Sequence, residues 1–443
     1  MTSPQRPILA TALLVASAAG GQAQTSPDPE LIKVIAGIKA IDTHTHPEQV
    51  LADGEMDTEW DGFSSDSYQA QLVPNLPANV RPHSHMIVAS WRALWGIPEL
   101  EWPEEAGNKA AENKRRIIKE KGDSYPAWVL DQAGVEIALS NRITMQRGLT
   151  SPRFRWVPYV DHYMFPLSTA KIQAANPLYA GFYAGLEQRA KGLYSGRGVK
   201  TTPPALKEWL ANVVTPNLEK QKREGAVAIK FTAAYYRPLD FAPVSVKEAA
   251  AIYATFVRGG APGLDEYKKL QDFIFFEVAR TAGRLQLPVH IHSGPGGGAQ
   301  YNLSGADPLL LEQVFINLPE TDFVILHGGW PNSKQATALL RKSNVYVDFS
   351  GMEYFLSPRN LAEVLRYWLD YMPEKVLFGT DAYPEKLPHA SWEEFEWINT
   401  RSAREALAIA LTEMRNDGNI TTDRAKELAH MVLRGNTAKL HRL

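Results

Sequence analysis

The sequence predicts an α/β protein, a (β/α)8 TIM barrel with a mostly helical insertion that caps its C-terminal face. After residue 30, eight short apolar or β-branched runs alternate with helical patterns, which is the arrangement of a parallel barrel. Several runs are almost continuously hydrophobic, as expected for strands covered on both faces. Two long stretches interrupt the alternation, and insertions that follow barrel strands lie over the C-terminal face.

The predicted strands are residues 40–46, 135–141, 154–161, 227–231, 289–293, 323–328, 345–350 and 376–381. Their spacing is uneven, because residues 47–125 and 163–221 are far longer than one connecting helix requires. Both of these stretches contain helical patterns. We therefore expect one barrel domain over residues 31–443, with these two insertions forming the cap.

The N-terminus has the pattern of a secretory signal peptide. Arg6 precedes an apolar run at residues 7–20, and small residues follow at 21–23, where a signal peptidase would cleave. The sequence thus predicts a signal peptide at residues 1–23 and export to the periplasm or the medium. The alternative is a disordered alanine-rich tail on a cytosolic enzyme. The chain has no cysteine, which is compatible with an oxidising compartment.

Composition excludes several other classes of protein. The 443 residues are 44% hydrophobic and 22% charged, with a net charge of −2, which indicates a globular chain and no nucleic-acid partner. No segment after residue 30 approaches about 18 apolar residues, so no stable membrane span is expected. The expected partner is a small-molecule substrate, and self-association into a homo-oligomer is compatible with the sequence.

Histidines cluster at the ends of two predicted strands. His44 and His46 end the first strand, and alternate residues of a strand face the same way, so two imidazoles can hold one metal ion. His290 and His292 repeat this spacing on the fifth strand. Because His292 is nearer the C-terminal rim, it is the predicted ligand. His290 is expected one layer deeper, hydrogen-bonded in the core.

Other strand ends supply further polar groups. His327 ends the sixth strand, Asp381 the eighth and Lys230 the fourth. The carboxyl ends of barrel strands converge on the rim where barrel enzymes place their catalytic groups. A single histidine at a strand end would usually be structural. Metal-compatible side chains at the ends of the first, fifth, sixth and eighth strands together predict a metal site.

These motifs resemble the amidohydrolase superfamily, and more narrowly the amidohydrolase-related group that includes the N-terminal domains of fungal FluG-like proteins. The resemblance covers residues 40–48 and about 225–412, and it is poor across the first insertion, so substrate specificity is not carried over. The matching stretches include Leu287-Pro-Val-His-Ile-His-Ser-Gly, Leu326-His-Gly-Gly-Trp-Pro and Val376-Leu-Phe-Gly-Thr-Asp-Ala.

The resemblance implies one or two divalent metal ions per chain, with zinc expected. The implied ligands are His44, His46, His292 and Asp381. His327 would bind a second ion or orient the substrate carbonyl. Lys230 falls where part of the superfamily carries a carboxylated lysine that bridges two metals, whereas in other members the lysine stays an amine that contacts the substrate.

The predicted function is a metal-dependent hydrolase that attacks an amide, lactone, ester or similar C–N or C–O bond of a small molecule. A bound ion lowers the pKa of its water from about 15.7 to about 7. Asp381 would then act as general base, and His327 or Lys230 would stabilise the oxyanion. The alternative is a metal-dependent non-oxidative decarboxylase, a lyase of an aromatic or related acid. A catalytically silent binding protein is a third reading, against which the filled ligand positions argue.

Three residues are predicted to contact the substrate. Arg142 follows the second strand, and Tyr236 and Arg237 follow the fourth. Arg237 has the planar guanidinium that binds a carboxylate through two parallel hydrogen bonds. The alternative for these positions is an internal ion pair at the barrel rim.

Overall fold

The computed structural model describes residues 26–51, 55, 57–61, 77, 80–81, 84–98, 104–195, 201–297, 301–384 and 390–443. The signal peptide predicted at residues 1–23 lies outside these ranges and stays a prediction. Among the described residues, none of the helices combines the length and apolar content needed to cross a bilayer.

The strands are β1 Ala40–Thr45, β2 Val135–Arg142, β3 Phe154–Pro158, β4 Ile229–Phe231, β5 Val289–Ile291, β6 Phe323–Ile325, β7 Val345–Asp348 and β8 Val376–Leu377. The α-helices are α1 Pro29–Gly37, α2 His85–Trp95, α3 Glu104–Lys121, α4 Tyr125–Ala133, α5 Ala170–Ala175, α6 Ala180–Ser195, α7 Leu206–Trp209, α8 Thr215–Arg223, α9 Val246–Phe256, α10 Leu264–Arg284, α11 Glu312–Asn317, α12 Ser333–Ala336, α13 Met352–Phe355, α14 Pro358–Tyr371, α15 Trp392–Asn416, α16 Thr422–His430 and α17 Asn436–His441. Short 3-10 or π turns connect many of them.

The eight strands run parallel and close into a barrel. β1, β2 and β3 pair in that order, as do β4 to β8. Two bridges join the groups between β3 and β4, Trp156 with Ala226 and Tyr159 with Lys230. On the other side, the Thr43 amide donates to the Phe378 carbonyl at 2.9 Å and so links β1 to β8. The predicted barrel is confirmed, and each predicted run coincides with one of its strands, β2 continuing one residue beyond its run to Arg142.

Burial explains why these runs form strands. The strands are rich in Val and Ile, and nearly all of their residues are buried, as required when helices cover the outside of a parallel sheet. Helix α14 shows the complementary pattern. Ser357 caps its first turn by accepting from the Asn360 amide at 3.3 Å, and the buried Leu361, Leu365 and Trp368 form one stripe facing the barrel.

The described parts of the insertions are mostly helical, as predicted, with irregular backbone at residues 47–51, 55 and 57–61. Helices α2 and α3 belong to the first insertion, and α5 to α8 to the second. The first insertion is bound to α15 through charged and polar side chains: Trp95 Nε1 donates to Glu394 at 2.6 Å, and Lys114 Nζ lies 2.6 Å from Glu393. Tyr125, at the start of α4, donates to the same Glu393 at 2.6 Å. Helix α15 is therefore the element against which this part of the cap is fixed.

The last helix closes the base of the barrel. Leu440 of α17 packs against Val324, Leu326 and Leu377 from the strands around it, and the Thr43 and Thr437 hydroxyls lie 2.9 Å apart. The base is thus sealed by side chains, and the polar groups described next lie at the opposite rim.

Candidate metal centre

Three predicted ligands converge at the rim. His44 Nε2 lies 3.0 Å from Asp381 Oδ1, and His46 Nε2 lies 3.4 Å from the same oxygen. Donor atoms that bind one zinc ion tetrahedrally at about 2.0–2.1 Å are themselves about 3.3 Å apart. Among the described residues, these three side chains form a group whose ligand atoms all lie within 4.8 Å of one another. The donor set and its spacing fit one divalent ion.

An irregularity in β1 points the two histidines at the same place. The pairing of β1 with β2 shifts register between Asp42 and Thr45, and such a bulge redirects the side chains around it. Asp42 turns away from the rim and accepts hydrogen bonds from the amides of His44 at 2.9 Å and Thr380 at 3.1 Å. The carboxylate of Asp42 therefore fixes the backbone of both ligand strands from behind.

Two of the predicted functional residues have left-handed backbone. The φ angle is +60° at His327 and +52° at Asp381, a conformation that side-chain-bearing residues adopt at a cost of about 1–3 kcal/mol. Both are held in place by hydrogen bonds. The Tyr354 hydroxyl donates to the Asp381 carbonyl at 2.9 Å, and the His327 amide donates to Asp348 at 2.8 Å. Strain of this kind concentrates at functional sites.

A second pair of donors lies beside the first group. His292 Nδ1 is 3.0 Å from His327 Nε2. The other nitrogen of His327, Nδ1, is 2.8 Å from the Ser350 carbonyl. It must donate there, so Nε2 carries the lone pair that a metal needs. His292 Nε2 is buried without a hydrogen-bond partner in the described part of the chain. These two histidines suit a second ion or a polarised substrate group.

Lys230 reaches the same place from β4. Its Nζ lies 3.2 Å from His44 Nε2, and the side chain is buried. Burial lowers the pKa of Lys230 to about 8, although Asp381 and Asp348 act in the opposite direction. The amine is thus close enough to act as a metal-site residue or to donate a hydrogen bond to a substrate.

The electrostatics of the cluster favour a cation. Burial holds the pKa values of His44 and His292 well below the usual range and lowers that of His327 to about 4. Burial opposes ionisation of Asp381, but His327 and His44 outweigh it and hold the pKa of this carboxyl well below its usual value. Neutral imidazoles beside an ionised carboxylate are the protonation states that bind metal ions.

Two further side chains support the ligands, and they were not singled out from the sequence. The Asn141 amide lies 2.7 Å from His44 Nδ1, and the Tyr159 hydroxyl lies 3.0 Å from His46 Nδ1. Partners at the second ring nitrogen orient a ligating imidazole. Their only sequence signal is their position next to strand ends, which many structural residues share.

His290 lies deeper, where the sequence placed it. Its Nε2 is 2.9 Å from His441 Nε2, on the helix that closes the base of the barrel. Since His441 Nδ1 lies 3.0 Å from the Thr437 carbonyl and donates to it, His441 Nε2 accepts from His290. His290 is therefore hydrogen-bonded within the core of the barrel.

Arg142 binds an internal carboxylate in this structure. Its Nη1 and Nη2 lie 2.7 Å and 3.0 Å from the two oxygens of Asp57, and both side chains are fully buried. A substrate carboxylate would have to displace Asp57 to use this guanidinium. The geometry favours the ion-pair alternative, and substrate contact by Arg142 stays a prediction.

Tyr236 and Arg237 are engaged in the same way. The Tyr236 hydroxyl donates to Asp161 at 2.8 Å. Arg237 Nη2 donates to Asp272 at 2.6 Å, and the guanidinium stacks on Phe241, 4.0 Å from the ring centre. Both residues therefore brace the loop after β4, and a direct role in substrate binding stays a prediction.

Aromatic rings surround the cluster. The Tyr235 ring is 4.4 Å from the His292 ring, and the Tyr301 ring is 5.4 Å from that of Tyr235. On the other side, the Trp60 ring lies 5.9 Å from the His46 ring. Three flat aromatic rings thus lie beside the metal centre and can contact a small organic substrate.

The parallel strands of this protein close into a barrel, and histidines and an aspartate lie together at its C-terminal rim. These features are typical of barrel proteins with a metal centre. The chain belongs to the amidohydrolase family, because the family model described as amidohydrolase matches residues 219–443, just over half of the chain. This membership supports a metal-dependent function of the hydrolase type.

Individual relatives agree with this assignment. Protein fluG of Emericella nidulans is 25% identical over 230 residues, which are 49% of this chain and 26% of that protein. This chain thus spans about a quarter of the length of that relative.

Among solved structures, a protein assigned as a metal-dependent hydrolase from Lactobacillus casei superposes with a TM-score of 0.61 at 18% identity, covering 93% of this chain and 97% of its own. Uronate isomerase of Thermotoga maritima gives a TM-score of 0.59 at 15% identity, with coverages of 93% and 96%. At these identities the likeness shows a shared fold.

Proposed function

We propose that this chain is a metal-dependent hydrolase that uses an activated water to cleave an amide, lactone, ester or similar bond of a small molecule. The observation that carries the proposal is the meeting of His44, His46 and Asp381 at distances that fit a single divalent ion. We take zinc as the resident metal, with one or two ions per chain. Family membership supports the hydrolase type of chemistry and leaves the substrate open.

The ligands in this proposal are the residues whose donor atoms converge at the rim. His44 and His46 offer Nε2, and Asp381 offers Oδ1. The pair His292 and His327 offers a second set, with Lys230 next to His44. A divalent ion, when bound, supplies a Lewis acid and a water whose pKa falls to about 7. Because burial lowers the pKa values of His44, His292 and His327, these three imidazoles are neutral at physiological pH.

Asp381 is the proposed general base. Its Oδ1 faces the two histidines of β1, whereas its Oδ2 lies 3.8 Å from His327 Nδ1. The low pKa of this carboxyl keeps it ionised and able to accept a proton from the attacking water. The same oxygen returns the proton to the leaving group as the bond breaks. Proton transfer by a positioned group contributes about 10²- to 10⁴-fold to a rate.

His327 and Lys230 are the proposed partners of the substrate carbonyl. Lys230 Nζ carries donor hydrogens in a buried place, where a hydrogen bond to developing negative charge is stronger than in water. Lys230 would orient the carbonyl and stabilise the oxyanion as it forms. His327, whose Nε2 carries a lone pair, would act on the carbonyl through a second divalent ion held at that nitrogen.

A non-oxidative decarboxylase is the second candidate, and the aromatic walls favour it. Tyr235, Tyr301 and Trp60 provide flat surfaces on which an aromatic acid can stack. In that reaction the carbon–carboxylate bond breaks and a proton replaces carbon dioxide on the ring, so no water attacks. Release of carbon dioxide separates the two candidates directly.

The first experiment is the metal content of the chain, measured by elemental mass spectrometry after purification without chelators and with bicarbonate present. We expect one or two zinc ions per chain. About two would support carboxylation of Lys230, and about one would support the unmodified amine. A chain that holds no divalent metal, even after metal is supplied, would contradict the proposal.

Activity is then assayed against amides, lactones and esters, with aromatic acids and a uronate as separate arms. The uronate is included because uronate isomerases share this barrel. Chelation should abolish hydrolysis, and added zinc should restore it. Hydrolysis that persists without metal would contradict the mechanism. If the aromatic acid or the uronate alone is turned over, the hydrolase proposal is replaced by decarboxylation or by uronate isomerisation.

A further inference from the structure

One face of α15 lies directly behind the proposed metal ligands. Trp392, Glu396 and Asn399 are spaced by four and three residues, so they share one side of the helix. Trp392 Nε1 donates to Thr45 Oγ1 at 3.2 Å, and Asn399 Nδ2 donates to the Thr380 carbonyl at 2.8 Å. Thr45 separates His44 from His46 in the sequence, and Thr380 precedes Asp381.

Glu396 contacts both threonines at once. Its Oε2 accepts from Thr45 Oγ1 at 3.0 Å and lies 3.1 Å from Thr380 Oγ1. A single oxygen on α15 therefore connects the end of β1, where His44 and the following His46 are two of the proposed ligands, with the chain after β8, which carries the third.

Packing alone does not account for Glu396. The side chain is completely buried, and its Oε1 has no hydrogen-bond partner among the described residues. A buried carboxyl with an unsatisfied oxygen destabilises a fold, and a hydrophobic residue of similar size would usually be tolerated better. The contact with the two ligand-bearing segments is the feature that distinguishes this position from the apolar positions of α15.

Through Thr380, Glu396 contacts the segment whose backbone is strained at Asp381. Asp381 has a φ angle of +52°, and such a conformation persists only when surrounding contacts over-determine it. On its N-terminal side, the Asp381 amide donates to the His44 carbonyl at 2.7 Å. Thr380 adds contacts with Asp42, Glu396 and Asn399. Loss of the Glu396 contact would let the β8 end relax, and the Asp381 oxygen would move relative to His44 and His46.

We propose that Glu396 is a positioning residue that sets the distance between the ligands of β1 and the ligand of β8. This inference rests on the metal site of the proposed function. Glu396 does not touch the ion or the substrate; it acts through Thr45 and Thr380. Supporting groups behind metal ligands typically change metal affinity by about 10- to 100-fold when they are removed.

The test compares Glu396→Leu with Glu396→Gln. Leucine removes the accepting oxygen, whereas glutamine keeps an oxygen that both hydroxyls can reach. The zinc dissociation constant is measured by competition with a chromophoric chelator, together with the visible spectrum of the cobalt-substituted protein and the melting temperature of the metal-free protein. We expect Glu396→Leu to weaken zinc binding by about tenfold or more and to change the cobalt spectrum. Glu396→Gln should stay close to wild type in both.

Glu393→Leu is the matched control. Glu393 lies on the same helix and is similarly buried, but its partners are Lys114 and Tyr125 in the cap and α4. We expect this variant to lower the melting temperature and to leave the zinc constant unchanged. Glu396→Leu with wild-type affinity, or an equal loss of affinity in Glu393→Leu, would overturn the inference.

A second variant covers the case in which Glu396→Leu does not fold. Thr380→Val removes one of the two hydroxyls, which contacts both Glu396 and Asp42, and Thr380→Ser retains it. We expect weaker zinc binding for valine than for serine, and equal binding would overturn the inference. If the wild-type chain binds no divalent metal, the proposed function fails together with this inference. If the wild type binds metal and these variants do not differ from it, the inference alone fails.

Discussion

At the scale of single residues, the candidate site depends on side chains whose backbone is held in an uncommon conformation. His327 and Asp381 both have positive φ angles, and both point their side chains into the cluster. In an extended strand these side chains would continue the alternation of the strand. The turn after the strand instead brings each of them back towards the barrel axis.

Replacing Asp381 by asparagine should therefore affect rate far more than stability. Asparagine has the same shape and also tolerates left-handed backbone, but it cannot take a proton from water. We expect the turnover number to fall by about 10²-fold or more, with little change in the urea midpoint. Asp322→Asn, on the loop before β6, is the control and should keep full activity. Wild-type turnover in the Asp381 variant would remove this residue from the mechanism.

Replacement of each of the two histidines at β5 should affect metal retention differently. His292 faces His327 at the rim, whereas His290 is bonded to His441 at the base. We expect His292→Ala to lower the zinc content per chain after dialysis, because His292 belongs to the second donor pair, and His290→Ala to leave the zinc content unchanged, as measured by elemental analysis. A His290→Ala variant that loses its zinc while His292→Ala keeps it would reverse the assignment of the β5 ligand.

At the scale of elements, the turn after β7 is shaped by the space beside Asp381. Gly351 has a φ angle of +74°, and a Cβ atom there would lie 2.9 Å from Asp381 Oδ2 and 3.2 Å from His327 Nδ1. The glycine thus meets two requirements, a left-handed backbone and room for the carboxylate.

Gly351→Ala should weaken both the fold and the metal site. The left-handed backbone costs alanine about 1–2 kcal/mol, and the methyl group would push the Asp381 carboxylate away from His44. Gly418→Ala is the control, because Gly418 has a φ angle of +78° and open space around its Cβ position. Both variants should lose stability in urea unfolding, Gly351→Ala by more because of its close contacts, and only Gly351→Ala should lose zinc affinity. Equal zinc affinity in the two variants would contradict the argument.

The strands also show where sequence patterns stop being informative. Every strand lies at a hydrophobic run, but several runs were predicted to continue beyond the residue at which the strand ends in the structure. β8 was predicted over residues 376–381 and ends at Leu377, and β6 was predicted to residue 328 and ends at Ile325. At both places the chain leaves the sheet to position a functional residue. Backbone angles of this kind leave no trace in hydrophobic periodicity.

At the scale of the whole molecule, the sequence predicted the barrel and the group of ligands, because buried strands and paired histidines have local signatures. The sequence did not predict which charged residues form ion pairs inside the protein. Arg142 binds Asp57, which lies 85 positions earlier, and Arg237, in the loop after β4, binds Asp272 on α10. Such pairs depend on the folded arrangement of distant segments, so the substrate-binding residues were harder to predict than the ligands.

The sealed base of the barrel makes stability dependent on pH. Burial lowers the pKa of His441 to about 4, below the value of about 6.5 expected in the unfolded chain. The unfolded state therefore takes up a proton first as the pH falls. The stabilising contribution of neutral His441 is complete above pH 6.5 and is lost progressively between about pH 6.5 and 4.

His441→Gln isolates this contribution. The free-energy advantage of wild type over the variant, measured by urea unfolding, should shrink by up to about 3 kcal/mol as the pH is lowered through that window. His430→Gln, at an exposed position on the neighbouring helix α16, controls for the substitution itself. An advantage that grows on acidification would contradict the assigned direction of the pKa shift.

Helix α15 also has a practical consequence for anyone who wants to change what this barrel accepts. Glu393 and Glu394 hold the first insertion through Lys114 and Trp95, and Glu396, within one turn, holds the strand ends. A foreign cap grafted in place of residues 47–125 would leave two buried acids without their counterparts and would shift the helix that they share. Recombination of the cap therefore has to include the first turn of α15, so that the exchanged unit is discontinuous in sequence.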